Sequence, residues 1–557
     1  MLDPPVLDPS VLDPSAHIDG FARANLPPCA LWPAMDYAAL PELAYPKRLN
    51  AAVELLDRMV ERGFADRPCI RWPGGTWTYG ELLDKANRIA NVLVGEMGLV
   101  PGNRVLLRAA NNPMHAACWF AVMKAGGIAV GTMPLLRARE LSYVIEKAKV
   151  EFALCDKCLS GDLEAAREKA PSLRRVVYFH DAAADGLEAR MALQAPAFAN
   201  VATSHDDVAL IAFTSGTTGA AKGTMHFHRD VLTICDAFPK YVLKPGTDDI
   251  FVGSPPLAFT FGLGGALLFP MRVGASTLLL EKTSAEILLQ AIQDHRVTIC
   301  FTAPTMFRLM AELAPHYDLS SLKKCVSAGE TLPLPVFQAF LAATGIKIID
   351  GLGSTEMLHI FVATAGDDIR PGATGKAIPG YQAIVVDESG QEVTRNAVGR
   401  LAVRGPTGCR YLADERQTVY VQGGWNLTGD AYRMDEDGYL WYQARTDDMI
   451  ISAGYNISGP EVEAVLLDHP KVRECAVIGA PDAARGQIVK AFVVKREDCA
   501  DGDLAKELQD FVKAQIAPYK YPRAIEFVAA LPRTETGKVQ RFRLREMERE
   551  RAAGGPN

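Results

Sequence analysis

Short apolar runs, each separated from the next by a helical pattern, recur along most of this chain, and that alternation limits what it can fold into. Arg104–Arg108, Val208–Phe213, Ala275–Leu280 and Val297–Phe301 read as strands. Met114–Lys124 and Ala285–Gln293 between them read as helices, as does the apolar series Leu82, Leu83, Ala86, Ile89, Ala90 and Leu93 after a capping box at Thr78–Glu81. Strands that alternate with helices predict an α/β fold of mostly parallel, helix-covered sheets. At 557 residues the chain exceeds what one core of roughly 250–300 residues supports. Around Gly380–Arg404 the pattern changes to short strands joined by turns, which predicts a small antiparallel or barrel-like subdomain. From about Thr446 a self-contained α+β section follows: a helix at Glu461–Leu467, strands at Cys475–Ile478 and Lys490–Val494, a helix at Leu504–Ala514 and a basic tail. The expected division is a flexible, proline-rich leader over 1–20, a large domain over 21–446 and a small mobile domain over 447–557.

A net charge of −7 provides no basic field for nucleic acid. The eleven cysteines show no disulfide framework and read as reduced thiols. The uncharged stretch Ser254–Met271 holds several prolines and glycines and reads as a buried, loop-rich segment, not a membrane span. The N-terminus lacks the positive region and apolar core of a signal peptide, so a cytoplasmic protein without membrane contact is expected.

Phosphate binding needs exposed N–H groups, small residues, hydroxyls and a cation. All are present in Thr214, Ser215, Gly216, Thr217, Thr218, Gly219 and Lys222, a loop that follows an apolar strand and is expected to lead into a helix. In Asp350–Glu356, a carboxylate beside hydroxyls makes Glu356 a candidate Mg²⁺ ligand, although a Ser-Thr-Glu can equally start a helix. Asp430 in Thr428–Asp430, and Arg445, suit ribose hydroxyls; either segment alone is also an ordinary acidic turn. Lys538 stands in a glycine-containing loop of the basic tail.

Taken in order, TSGTTGAAKG, GSTE, TGD, the Arg445–Asp448 segment and PRTETGK resemble the adenylate-forming superfamily of acyl-CoA synthetases, peptide-synthetase adenylation domains and luciferases. FTAPTMFRLM (301–310), SAGE (327–330) and GSTEMLHIF (353–361) look like benzoate-type CoA ligases. FARANLPP (21–28) and PPLAFTFGLGG (255–265) look like 2-aminobenzoate-CoA ligases. The resemblance implies an aromatic acid, ATP with Mg²⁺ and coenzyme A as partners, with a homodimer as an allowed assembly. It implies that Lys538, Thr355 and Glu356 are catalytic, Glu356 through Mg²⁺. Ala328, Gly329, Glu330, Asp350 and Gly351 would join the phosphate loop, Asp430 and Arg445 in holding the nucleotide. Phe259, Thr260, Phe261, Gly262, Ala303, Pro304, Leu352, Gly353 and His359 would form the acyl pocket, with His359 either a polar contact or a packed histidine. Asp447 would be the hinge, and Ser452, Ala453, Gly454 and Tyr455 would meet coenzyme A. No carrier segment is expected after Lys538, which favours free coenzyme A over a carrier protein. A coenzyme A ligase for a short or medium-chain acid is the other alternative.

Overall fold

The computed structural model of the chain describes residues 12–214, 221–445, 448–452, 455–482, 486–496, 503–516, 518–533 and 538–553. Two open sheets form the large domain. Among the described residues, one sheet has nine strands, running from Lys376–Ala377 through Ile360–Ala363, Ile348–Gly353, Lys324–Ala328, Ile299–Thr302, Ile250–Gly253, Ser276–Leu278 and Pro68–Trp72 to Gly75–Thr78. Every pairing from Ile348–Gly353 across to Pro68–Trp72 is parallel. The second sheet runs Arg175–Phe179, Phe152–Asp156, Arg104–Arg108, Ile128–Thr132, Val208–Thr214, Lys222–Phe227 and is parallel except for its last pair.

Helix Pro113–Lys124 is apolar all round and buried along its whole length, as such a pattern requires. Helix Tyr79–Asn91 starts at the expected capping box: Glu81 N–H donates to Thr78 Oγ1 (3.2 Å) and Thr78 N–H to Glu81 Oε2 (2.8 Å). One core reaches across both sheets, including Leu107, Ala209, Phe251, Ile299, Val326 and Ile349. The expected antiparallel subdomain is Gln382–Val386, Val398–Arg404, Val421–Gln422, Trp425–Met434 and Leu440–Arg445. Leu440 belongs to the core of the large domain, whereas Ile450 packs with Val462, Val477, Val489 and Leu508 in a separate C-terminal core.

Three expectations change. Ser254–Met271 is loop only over 254–259 and is buried from Gly262 onward: helical turns run through Thr260–Leu263, Gly264–Leu268 and Phe269–Val273. Its glycines are small because partners are close; a Cβ on Gly262 would stand 2.1 Å from the Pro256 carbonyl oxygen. The basic tail contains a helix, Arg541–Ala553. Finally, residues 12–20 are not a free leader. Asp207 accepts from Ala16 N–H (2.9 Å), and Asp19 pairs with Arg104 at 2.5 Å and Asn103 at 2.8 Å. No helix among the described residues is long and apolar enough to cross a membrane.

Candidate functional site

The large sheet delivers the chemistry-bearing segments to one edge. Its parallel strands Ile299–Thr302, Lys324–Ala328 and Ile348–Gly353 are in register, with Thr302 opposite Ser327, Ser327 opposite Asp350, and Ala328 opposite Gly351. Ala303 and Pro304, Gly329 and Glu330, and Ser354 to Glu356 therefore leave the sheet together at its carboxyl end, where open α/β sheets bind ligands. Gly329 takes a left-handed φ of 87° as the chain turns away. Glu330 accepts from Thr305 Oγ1 at 3.0 Å.

Against this edge stands the hairpin of Val208–Thr214 and Lys222–Phe227, in which Thr214 pairs with Lys222. The expected helix after the phosphate loop is thus a strand, and the helix begins only at His228. Backbone N–H groups of the loop, rather than a helix terminus, would have to meet phosphates. Ser215, Gly216, Thr217, Thr218 and Gly219 lie outside the described residues. Thr214 Oγ1 is buried without a hydrogen-bond partner among the described residues. The Lys222 ammonium lies 3.6 Å from Glu356 Oε1 and faces the rings of Tyr411 and Tyr420, 4.7 and 5.8 Å from their centroids.

Glu356 is buried, at 7% exposure, and the Tyr411 hydroxyl donates to its Oε1 at 2.5 Å. Burial, reinforced by Glu356, pushes that hydroxyl far above the usual tyrosine range. Tyr411 and Tyr420 are site residues that the sequence reading misses. Residues 410–412 run alongside the hairpin: Met225 N–H donates to the Arg410 carbonyl and Leu412 N–H to the Gly223 carbonyl, each at 2.8 Å. The next backbone carbonyl of interest, that of Thr355, accepts from His226 Nε2 at 2.8 Å, and burial pushes that imidazole down to about 4, so it is neutral.

Asp430 and Arg445 are cross-strand partners in the antiparallel sheet, with Arg445 Nη1 2.9 Å from Asp430 Oδ1. Burial pushes the Asp430 carboxyl up, against the pull of Arg445. Lys538 comes to the same place from the other domain. Its side chain is open to solvent, yet surrounding protein depresses its ammonium below the usual lysine range, with Glu330 and Asp430 opposing and Arg445 assisting. Asp350 borders a small cavity with Leu332, Phe337, Thr364 and Thr374. Enclosure there pushes its carboxyl up to about 8 although the side chain keeps some exposure.

Leu358 adopts a left-handed φ of 69°, an uncommon conformation for leucine. The turn it makes sends His359 inward among Phe238, Phe261 and Phe269, with ring centroids 6.0, 5.7 and 4.5 Å away. His359 Nε2 is 3.4 Å from the Phe261 carbonyl oxygen, while Nδ1 is buried with no partner among the described residues. Burial drives the imidazole down to about 3, so it is neutral. Gly353 lies against the His359 backbone, where a Cβ would come within 2.8 Å. Phe261, Gly353 and His359 are thus brought together; Phe259 and Thr260 open the helical turn that carries Phe261, Ala303 caps helix Pro304–Leu313, and Leu352 precedes Gly353 in its strand. Ser452 is buried and pairs with Tyr455 in a short hairpin. Asp447, Ala453 and Gly454 lie outside the described residues.

Residues 57–411 match the family model of AMP-binding enzymes, and residues 461–538 that of the AMP-binding enzyme C-terminal domain. A benzoate–CoA ligase of Thauera aromatica is 34% identical over 512 residues, covering 91% of this chain and 97% of that protein. The crystal structure of an anthranilate CoA ligase in complex with anthranoyl-AMP is 34% identical, with a TM-score of 0.87, covering 93% of this chain and 100% of that one. A benzoate CoA ligase structure from Burkholderia xenovorans is 32% identical, with a TM-score of 0.80, covering 89% and 99%.

Proposed function

The chain belongs to the AMP-binding enzyme family as an AMP-forming acyl-CoA synthetase, and from that premise we propose that its acid is aromatic, of the benzoate or 2-aminobenzoate type. The observation that carries the choice of acid is the aromatic nest around His359. Phe261 is half-buried and offers a flat apolar face to a ring, with Phe269 and the neutral imidazole packed behind it. His359 Nδ1, buried without a described partner, is an acceptor that the amino group of 2-aminobenzoate would satisfy once a bound ring opens the nest. The two CoA ligase structures named above, for anthranilate and benzoate, agree with this reading.

In the first half-reaction the carboxylate oxygen bonds to the α-phosphorus of ATP and the bond to pyrophosphate breaks, giving acyl-AMP. This chain's part is positioning and charge neutralisation. Thr214, the loop 215–219 and Lys222 hold the outer phosphates, and Thr355 the α-phosphate. Asp430 and Arg445 hold ribose, Ala328, Gly329 and Glu330 border adenine, and Asp350 and Gly351 complete the nucleotide site. Lys538 bridges the attacking carboxylate and the α-phosphate, and its company of Glu330, Asp430 and Arg445 fits the adenylating arrangement. The residues fit Mg²⁺: Tyr411 and Lys222 both meet Glu356 through Oε1, leaving Oε2 as a hard oxygen ligand. When bound, the metal supplies neutralisation of phosphate charge. In the second half-reaction the C-terminal domain turns about Asp447, brings the 452–455 hairpin to coenzyme A, and the thiol sulfur displaces AMP.

ATP-dependent AMP release across a panel of benzoate, 2-aminobenzoate, hydroxybenzoates and short-chain acids, with free coenzyme A, tests this reading. Thioester formation from an aryl acid supports it. Turnover only of aliphatic acids, or acyl transfer only to a carrier protein, sinks it. Replacement of His359 by Phe should shift preference from 2-aminobenzoate towards benzoate.

A further inference from the structure

Tyr411 has two contacts that point in the same direction. Its hydroxyl donates to Glu356 Oε1 at 2.5 Å, and its ring lies under the Lys222 ammonium, 4.7 Å from the centroid. The residue is fully buried and anchored on both sides. Its own N–H donates to Gln417 Oε1 at 2.9 Å. The preceding Arg410 points the opposite way into the core, where Asp230 Oδ2 accepts from it at 3.0 and 2.8 Å. Both members of that ion pair have no solvent exposure. A strand segment bridged to Thr224 and fixed by such a pair cannot rotate, so the Tyr411 side chain has one available direction.

We infer that Tyr411 is a positioning residue for adenylation, whose hydroxyl occupies one oxygen of Glu356 so that the other faces the metal–phosphate complex, and whose ring holds Lys222 beside it. A phenol hydrogen bond to a carboxylate is charge-assisted and strongly directional, and an ammonium over an aromatic face keeps its charge while staying unclamped by a second carboxylate. Tyr420 adds a second ring, 5.8 Å from Lys222 and 5.8 Å from Tyr411. This inference rests on the reading of Glu356 as the Mg²⁺ ligand.

The test compares the full-length wild type with Tyr411→Phe, Tyr411→Leu and Glu356→Gln. Binding of Mg·ATP, of ATP without metal and of AMP is measured by calorimetry, and the Mg²⁺ requirement by pyrophosphate exchange. Tyr411→Phe keeps the ring and should bind AMP and metal-free ATP as the wild type does. Its Mg·ATP affinity should fall about 10-fold, with a matching rise in the Mg²⁺ needed for half-maximal exchange. Tyr411→Leu should in addition weaken metal-free ATP, because Lys222 loses its platform. An unchanged Mg²⁺ requirement in Tyr411→Phe, or equal loss of AMP and Mg·ATP binding, overturns the inference. Where Glu356→Gln shifts the Mg²⁺ requirement and Tyr411→Phe does not, only the role of Tyr411 falls. Where Glu356→Gln leaves it unchanged, the metal reading falls as well.

Discussion

Asp430 and Arg445 face each other across two antiparallel strands, 2.9 Å apart, with the carboxylate buried and the guanidinium half exposed. The pair sits where the large domain ends and Lys538 arrives. Because Arg445 is half exposed, solvent screens the pair and its net worth to the fold is at most about 1 kcal/mol. Arg445→Ala should therefore change urea stability little but, if Arg445 holds ribose as proposed, weaken AMP binding about 10-fold through loss of one charge-assisted hydrogen bond. Calorimetry with AMP and a urea melt of the same preparation check both halves; a large stability loss with intact AMP binding would show the pair to be structural only.

Lys538→Ala should lower adenylation by about 10²-fold or more, as removal of a transition-state charge partner does. Supplied acyl-AMP should still become thioester in that variant if, as proposed, the second half-reaction proceeds without Lys538. Pyrophosphate exchange and single-turnover thioester formation separate the steps. A parallel fall of both in a folded variant rules the assignment out.

The parallel core was legible because its strands are short apolar runs flanked by amphipathic patterns, and Arg104–Arg108 needed no tertiary information to be read. What escaped was built by partners far apart in the chain. Residues 12–20 look unstructured until Asp207 and Arg104 are seen to hold them. Helix Arg541–Ala553 is mostly charged and gives no apolar stripe, although Arg541 pairs with Glu463 and Arg545 with Asp448. Thr260–Val273 carries enough glycine and proline to hide a helix that only close packing explains. In the site, Lys222, Glu356 and Lys538 announce themselves by charge in small-residue motifs. Tyr411 does not, since the groups it meets, Glu356 and Lys222, are brought to it only by the fold, and Asp230, which fixes its neighbour Arg410, stands 180 residues away in the chain.

Arg410 and Asp230 should be the costliest polar pair to break. Both are without solvent exposure, and Arg410 also stacks on Phe227 at 3.9 Å. Asp230→Ala leaves a buried guanidinium uncompensated, a loss of about 3–5 kcal/mol. Replacing both residues by apolar ones of similar volume should recover much of that loss. Urea melts of the single and double variants form the cycle, and a single variant within about 0.5 kcal/mol of wild type, the usual range of surface substitutions, would show that the ion pair is dispensable.

Asp350 gives the pH signature. Its carboxyl is raised from the ordinary 3.8 to about 8 by burial, so the folded chain holds a proton that the unfolded chain releases. The stabilisation from this group is complete below pH 3.8 and declines as pH rises, until it is lost through about pH 8. Asparagine mimics the protonated acid and removes the titration. The gap in thermal stability between Asp350→Asn and wild type should therefore widen in favour of the variant from pH 5 to about pH 8, and level off above. Its slope has an upper limit of about 1.4 kcal/mol per pH unit, and the residual exposure of the side chain holds it below that. A gap that stays constant over the whole interval would mean that Asp350 is ionised throughout, and the small cavity it borders would then hold a negative charge in place of a hydrogen-bond donor.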